Sequence, residues 1–413
     1  MDKHPIKFDI YISWFILGIF YLYQYILRNA PGVLIEDIRY SFGMNAGSFA
    51  LMGAMYYYGY SLMQIPLGLI VDKKGVRKTA LCSIALCIIG TCLLIITKNA
   101  FIAYASRLIV GIGAAFSFMS AIKLANDYLP VNKQSVVIGA TLTFGAIGAL
   151  ITGSPMNYLL EHFSSWRTVF IVVAILGVAL FIAAYIYIAK DKEASNSVDS
   201  NILANLRLVL SNKQILMYSL IAIGLFTPLS VMADLWGTAF LVKKFNLTRE
   251  VASPILMNIY IGMAAGSVIL PYLATKFQIN RIIQYSSLIL LMLFAFLVYA
   301  NTLSQTDLTI LLVSIGFFCG AEMLCFTAAL QHVNSNVSGL TIGVVNTLNM
   351  LSGAIMQQVI GAYLDVTWKA GLDHTGLRIY STEKFVEAFS ILVVIIAICT
   401  MTAFITLKND KDA

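Results

Sequence analysis

Apolar residues in this chain do not alternate with polar ones. They run on in long blocks separated by short polar breaks. A membrane-spanning helix needs about 20 consecutive, mostly apolar residues. Twelve blocks meet that length, at about 10–30, 47–71, 78–97, 100–122, 135–158, 167–189, 215–241, 252–274, 281–300, 307–331, 338–362 and 385–407. The longest polar break is 190–213. Within it Ile202, Leu203, Leu206, Val209 and Leu210 repeat at helical spacing, which predicts an amphipathic helix lying on the membrane surface. This linker divides the chain into 1–189 and 214–413, each with six blocks. The expected fold class is an all-α membrane protein of twelve transmembrane helices in two six-helix bundles, as in transporters built by duplication.

Composition sharpens the picture. Hydrophobic residues make up 59% of the chain and charged residues 11%, against about 25% charged in soluble domains. The formal charge of +7 does not imply nucleic acid, because the basic residues sit in the breaks, where they orient helices. An even number of crossings puts both termini on one side. Loops on that side carry Lys73, Lys74, Arg77, Lys78, Lys190, Lys192, Arg207 and Lys213 and outweigh the opposite set, so both termini are expected in the cytoplasm. The first block outruns the h-region of a signal peptide. Ile, Lys and Asn usage suits a bacterial inner membrane. The six cysteines all fall inside apolar blocks and read as packing, with no metal-ligand spacing and no cofactor implied. No P-loop is present, so a gradient or the solute itself must supply the energy, and no constellation suggests an enzyme.

Polar residues inside apolar blocks mark function by default. Tyr21, Gln24, Tyr25 and Arg28 recur at i, i+3, i+4 and i+7 and share one face. Either they line a cavity, with Arg28 holding a substrate carboxylate bidentately, or Arg28 snorkels to an interface amid an aromatic belt. Arg107 lies about 12 Å into its block, where an arginine costs at least about 2.5–3.5 kcal/mol, so it must face water, carbonyls or a carboxylate. Asp234 and Trp236 fall in the seventh block, Glu322 in the tenth, and Asn346 and Asn349 in the eleventh. Glu322 is a candidate proton carrier or partner for a substrate amine, with Asp234 next in line. The two asparagines either touch substrate or bond between helices, worth about 0.6 kcal/mol each. The segment 363–384, with Trp368, Asp373 and His374, shows no readable role.

Between the second and third blocks lies Gly68-Leu-Ile-Val-Asp72-Lys-Lys-Gly75-Val-Arg77-Lys78. Gly68 admits close helix approach and Gly75 permits a turn. Asp72, at a helix C-terminus, needs a partner such as a neighbouring helix N-terminus. This loop resembles the signature loop of the major facilitator superfamily, and Arg107-x3-Gly111-x-Gly113 resembles that family's fourth-helix signature. The resemblance implies the major facilitator fold, alternating access, a gating role for Gly68, Asp72, Gly75, Arg77 and Lys78, and substrate or proton handling by Arg107. Gly148–Pro155 only partly resembles the antiporter motif of drug exporters, lacking its Gly-Pro pair. Arg28-Asn-Ala-Pro-Gly-Val-Leu together with residues 58–72 resembles the branch that holds the lysosomal dipeptide transporter and its bacterial relatives.

The expectation is a secondary transporter of a small polar solute. Two buried cations and two buried anions suit a dipeptide or amino acid, with proton coupling as an open question. An anionic metabolite such as a hexuronate or organophosphate is the alternative, and a sensor or assembly partner without flux is a third reading.

Overall fold

The computed structural model describes residues 8–129, 131–189, 202–334, 337–369, 371–373 and 376–407. Each of the twelve apolar blocks is helical. Helix 1 is Phe8–Val33, helix 2 Ala46–Lys74 and helix 3 Val76–Ile96. Helix 4 runs as Ala100–Ala114 and Phe116–Tyr128, helix 5 as Val131–Ile151 and Ser154–Phe163, and helix 6 is Trp166–Tyr187. Helix 7 comprises Lys213–Thr227, a π-helical Pro228–Trp236 and Gly237–Phe245. Helix 8 runs as Arg249–Met257 and Ile259–Ala274, helix 9 is Ile279–Tyr299, helix 10 runs as Gln305–Cys319 and Glu322–Leu330, helix 11 is Ser338–Val366 and helix 12 Thr382–Thr406. Twelve crossings return the chain to the face on which it began, called here the terminal face; the other is the far face.

Local chemistry sets these boundaries. Asn45 accepts from the Ser48 amide to open helix 2. Ser304 and Asp307 form a capping box at the start of helix 10. Gly75 sits at φ 84° between helices 2 and 3, the left-handed turn that favours glycine. Pro228 lacks an amide hydrogen, so the α-helical ladder of helix 7 cannot pass through it, and the chain continues at π spacing through Trp236.

Several elements depart from the sequence pattern, since the blocks of helices 4, 7, 8 and 10 are interrupted as well as that of helix 5. The block at 135–158 is not one helix: Thr152 and Gly153 break it, and Pro155 starts a second segment, where its missing donor does no harm. A short helix, Ile35–Phe42, lies along the far face, too short and polar to have registered as a block. The amphipathic helix is present as Ile202–Ser211, with Val209 buried while Leu203 and Leu210 remain exposed. Among the described residues there are no strands.

The halves meet along helices 2 and 11, the most extensive helix pair. Within the second half, helices 8 and 10 touch backbone to backbone, which glycine allows. A Cβ added at Gly316 would fall inside the carbonyl oxygen of Ile259. Gly316→Val is therefore expected to cost about 3 kcal/mol or more through overpacking, seen as a large drop in the apparent melting temperature in detergent. Gly139→Ala, where the added Cβ meets nothing within 4 Å, should leave it unchanged or slightly raised.

Candidate functional site

The π-helical stretch of helix 7 carries Asp234, 1% exposed. Its carboxylate gathers groups from three other helices. Arg28 of helix 1 donates from Nε to Oδ2 at 2.6 Å and completes the ion pair through its second nitrogen. Tyr57 of helix 2 donates to Oδ2 and Tyr260 of helix 8 to Oδ1. Arg28 also donates to the Tyr57 hydroxyl at 2.8 Å and lies over the rings of Tyr25, Tyr57 and Phe226. This knot joins the two halves. It also removes the snorkelling reading of Arg28, whose side chain is 5% exposed, and the fork expected to be free for a substrate carboxylate is already engaged by Asp234.

Arg107 is the contrasting cation. It is 2% exposed, and Nη1 donates to the carbonyl of Leu27 at 2.8 Å. Its guanidinium carbon lies 5.1 Å from the centre of the Tyr56 ring, and Nε has no hydrogen-bond partner among the described residues. Gly111 and Gly59 let helices 4 and 2 touch backbone to backbone, and this brings Arg107 up to helix 1. The stripe on helix 1 is buried throughout. Gln24 accepts from Tyr56 at 2.6 Å, while Tyr21 lies tilted against Phe118 and meets Tyr25 edge-on.

Glu322 opens the second segment of helix 10, just past the break at Gly320. It is 3% exposed and accepts from Asn349 Nδ2 at 2.6 Å. No cation lies within ion-pair distance of it among the described residues. Asn346, although on the same helix as Asn349, turns elsewhere and donates to Gln64 of helix 2 at 2.8 Å. Trp236 donates to the Gln357 carbonyl at 3.1 Å and packs on Phe49 and Phe385, flooring a far-face cavity of about 620 Å³ rather than the central knot. Among the described residues, buried polar atoms without partners include Asn29 Nδ2, Gln64 Nε2, Arg107 Nε, Asn349 Oδ1 and Gln357 Oε1, on helices 1, 2, 4 and 11. Each left unmet costs about 1–3 kcal/mol.

Of the expected gating loop, the surroundings of Gly68 and the side chain of Asp72 lie outside the described residues. Arg77 donates to the Tyr185 carbonyl on helix 6 and lies over its ring, which ties the loop to its own half. His374 is also outside the described residues. Tyr57 and Tyr260 were missing from the expected set. The signal for them was weak, since a membrane helix rich in tyrosine does not say which hydroxyl meets an acid.

At the far face the halves are sealed. Arg249 pairs with Asp37 at 2.6 Å, Arg39 donates to the Arg378 carbonyl at 3.2 Å, and Asn157 donates to Ser253 at 2.7 Å. Toward the terminal face, the second segment of helix 4 packs mainly on helices 1, 2, 3 and 5 of its own half.

The sequence matches the profile described as Major Facilitator Superfamily over residues 12–356. It is 24% identical over 395 residues to "Uncharacterized transporter YybO" of Bacillus subtilis, covering 88% of this chain and 89% of that one. It is 24% identical over 397 residues to "Probable anion transporter 7" of Oryza sativa subsp. japonica, covering 88% and 90%. The fold superposes with a TM-score of 0.75 on a bacterial homolog of the human lysosomal transporter Spinster, described as inward-facing and unoccupied, at 14% identity over 97% of each chain.

Proposed function

The chain belongs to the Major Facilitator Superfamily, and from that premise we propose that this secondary transporter carries a small organic anion through a site between its halves. One observation carries the reading. Arg28 and Asp234 neutralise each other, whereas Arg107 is equally buried and, among the described residues, meets a carbonyl and a ring face with no ion pair. A cation held in low dielectric without a counter-charge attracts an anion strongly. The relative described as an anion transporter supports the same class.

In this reading the solute's carboxylate, phosphate or sulfonate approaches from the terminal side and meets Arg107. Tyr21, Gln24, Tyr25 and Asn349 frame it, and the Arg28–Asp234 pair loosens as the halves rock about the site. Arg107, Arg28 and Asp234 thus take the central roles, with Trp236 and Asn346 at the margins. The amino-acid or dipeptide reading keeps one supporting feature: among the described residues Glu322 has no ion-pair partner, which leaves it free to receive an amine. Counterflow in proteoliposomes separates the two. Hexuronates, organophosphates and sulfonates should exchange while neutral amino acids and dipeptides do not. Exchange of dipeptides alone would reverse the assignment, and absence of any flux would favour the sensor reading.

Glu322 is proposed as the proton site. Uptake by the unaltered protein should rise as the outside is acidified. Glu322→Gln should lose that stimulation while solute-for-solute exchange continues. An unchanged pH response in Glu322→Gln would move coupling to Asp234. With the basic loops inside, both termini are assigned to the cytoplasm and the far face to the outside.

A further inference from the structure

Helix 2 begins at the far face, and its first amides have no partner within the helix. Asn45 serves only one of them, that of Ser48. The other two are served by the opposite half of the protein. Asp365, in the last turn of helix 11, accepts from Gly47 N at 2.7 Å and from Ala46 N at 3.3 Å. Tyr380, in the segment between helices 11 and 12, accepts from Ala46 N at 2.9 Å and donates to Asp365 at 2.6 Å. Arg378 holds the same carboxylate at 3.1 Å.

We propose that Asp365 is the latch that closes the far face: a carboxylate carried by one half caps the N-terminus of helix 2 on the other. The charge logic runs in one direction. A carboxylate at the C-terminus of its own helix is unfavourable, and at the N-terminus of another it is favourable. Asp365 therefore gains from docking and loses when the halves part. Gly47 is the keyhole, since a Cβ there would lie 2.9 Å from Asp365 Oδ2. Gly361 allows the helix below to follow, with Ala46 and Ala50 directly against it. Burial, with the Asp365 hydrogen bond behind it, pushes the Tyr380 hydroxyl up to about 12, so it stays a donor at neutral pH. Helix 2 ends in its own acidic residue, Asp72, near the opposite face.

The test is a distance across the far face. Spin labels go on Lys98→Cys and Asn301→Cys, both exposed and in opposite halves, with exposed Cys82 and Cys92 replaced by serine. Double electron–electron resonance on the purified protein then gives the share of far-face-open molecules. Asp365→Asn should raise the ratio of open to closed roughly fivefold to thirtyfold, the effect of losing a helix cap of one to two kcal/mol. Gly47→Ala should do the same with Asp365 intact, although alanine is the better helix former, so the result does not hang on one variant folding. Distances unchanged in both variants overturn the latch. So does lengthening in Asp37→Asn alone, which would assign closure to the Asp37–Arg249 pair.

Discussion

Asp234→Asn is expected to destabilise the protein by about 3–5 kcal/mol, the usual result of removing one member of a buried ion pair and stranding the other. Arg28, 6% exposed, would keep its charge with only Tyr57 and ring faces to meet it. Arg28→Gln should be comparably damaging, since it strands Asp234 with two tyrosine hydroxyls. The informative variant is the pair Arg28→Met with Asp234→Leu, which removes both desolvated charges together. Replacements of this kind are often neutral or stabilising. The two hydroxyls freed by the change already have fallback acceptors: Tyr57 lies 3.5 Å from the Ser230 carbonyl and Tyr260 3.3 Å from Asn29 Oδ1. The apparent melting temperature in detergent should therefore fall sharply in each single variant and recover by more than half in the double. Transport should be absent from all three. If the losses simply add in the double variant, the two groups do not act as a pair. If the double variant transports, the pair is only a structural weld.

The sequence disclosed the fold and the cost of its buried charges, but not their partners. Twelve apolar blocks translate into twelve helices because lipid forces every backbone amide to bond within its own segment, so length alone was sufficient evidence. Arg28, Arg107, Asp234 and Glu322 could be singled out one at a time, since each violates the composition of its block. Pairing depends on which faces of helices 1, 2, 7 and 8 meet, and that is fixed by glycine contacts and by the π-helical turn after Pro228. Neither leaves a periodic trace in one sequence. Arg28 illustrates the limit: its depth and stripe were legible, but Asp234 lies 206 residues away. Asp365 carries a signal of the same kind as Asp72: each is an acid in the last turn of a helix, an unfavourable placement that calls for a partner.

Arg107→Gln is expected to separate binding from stability, in opposite directions. The side chain is a buried cation whose Nε lacks a partner, so the folded protein bears its desolvation without the return of an ion pair. Glutamine can keep one donor toward the Leu27 carbonyl and leaves the charge out. The apparent melting temperature of the ligand-free variant should then equal or exceed that of the unaltered protein. A residue retained for structure would behave in the reverse way. Anion affinity should meanwhile fall by roughly 10- to 150-fold, the equivalent of losing a charged hydrogen bond worth about 1.5–3 kcal/mol. Arg107→Lys restores the charge but not the planar fork that a carboxylate or phosphate matches, so it should recover only part of the binding. Both quantities come from one thermal titration, because a ligand that binds the folded state raises its apparent stability by mass action. The anion that exchanges in counterflow should shift the unaltered protein upward, shift Arg107→Lys weakly, and leave Arg107→Gln where it began. A full ligand shift in Arg107→Gln would remove Arg107 from the site and, with Arg28 engaged by Asp234, would remove the anion reading as well.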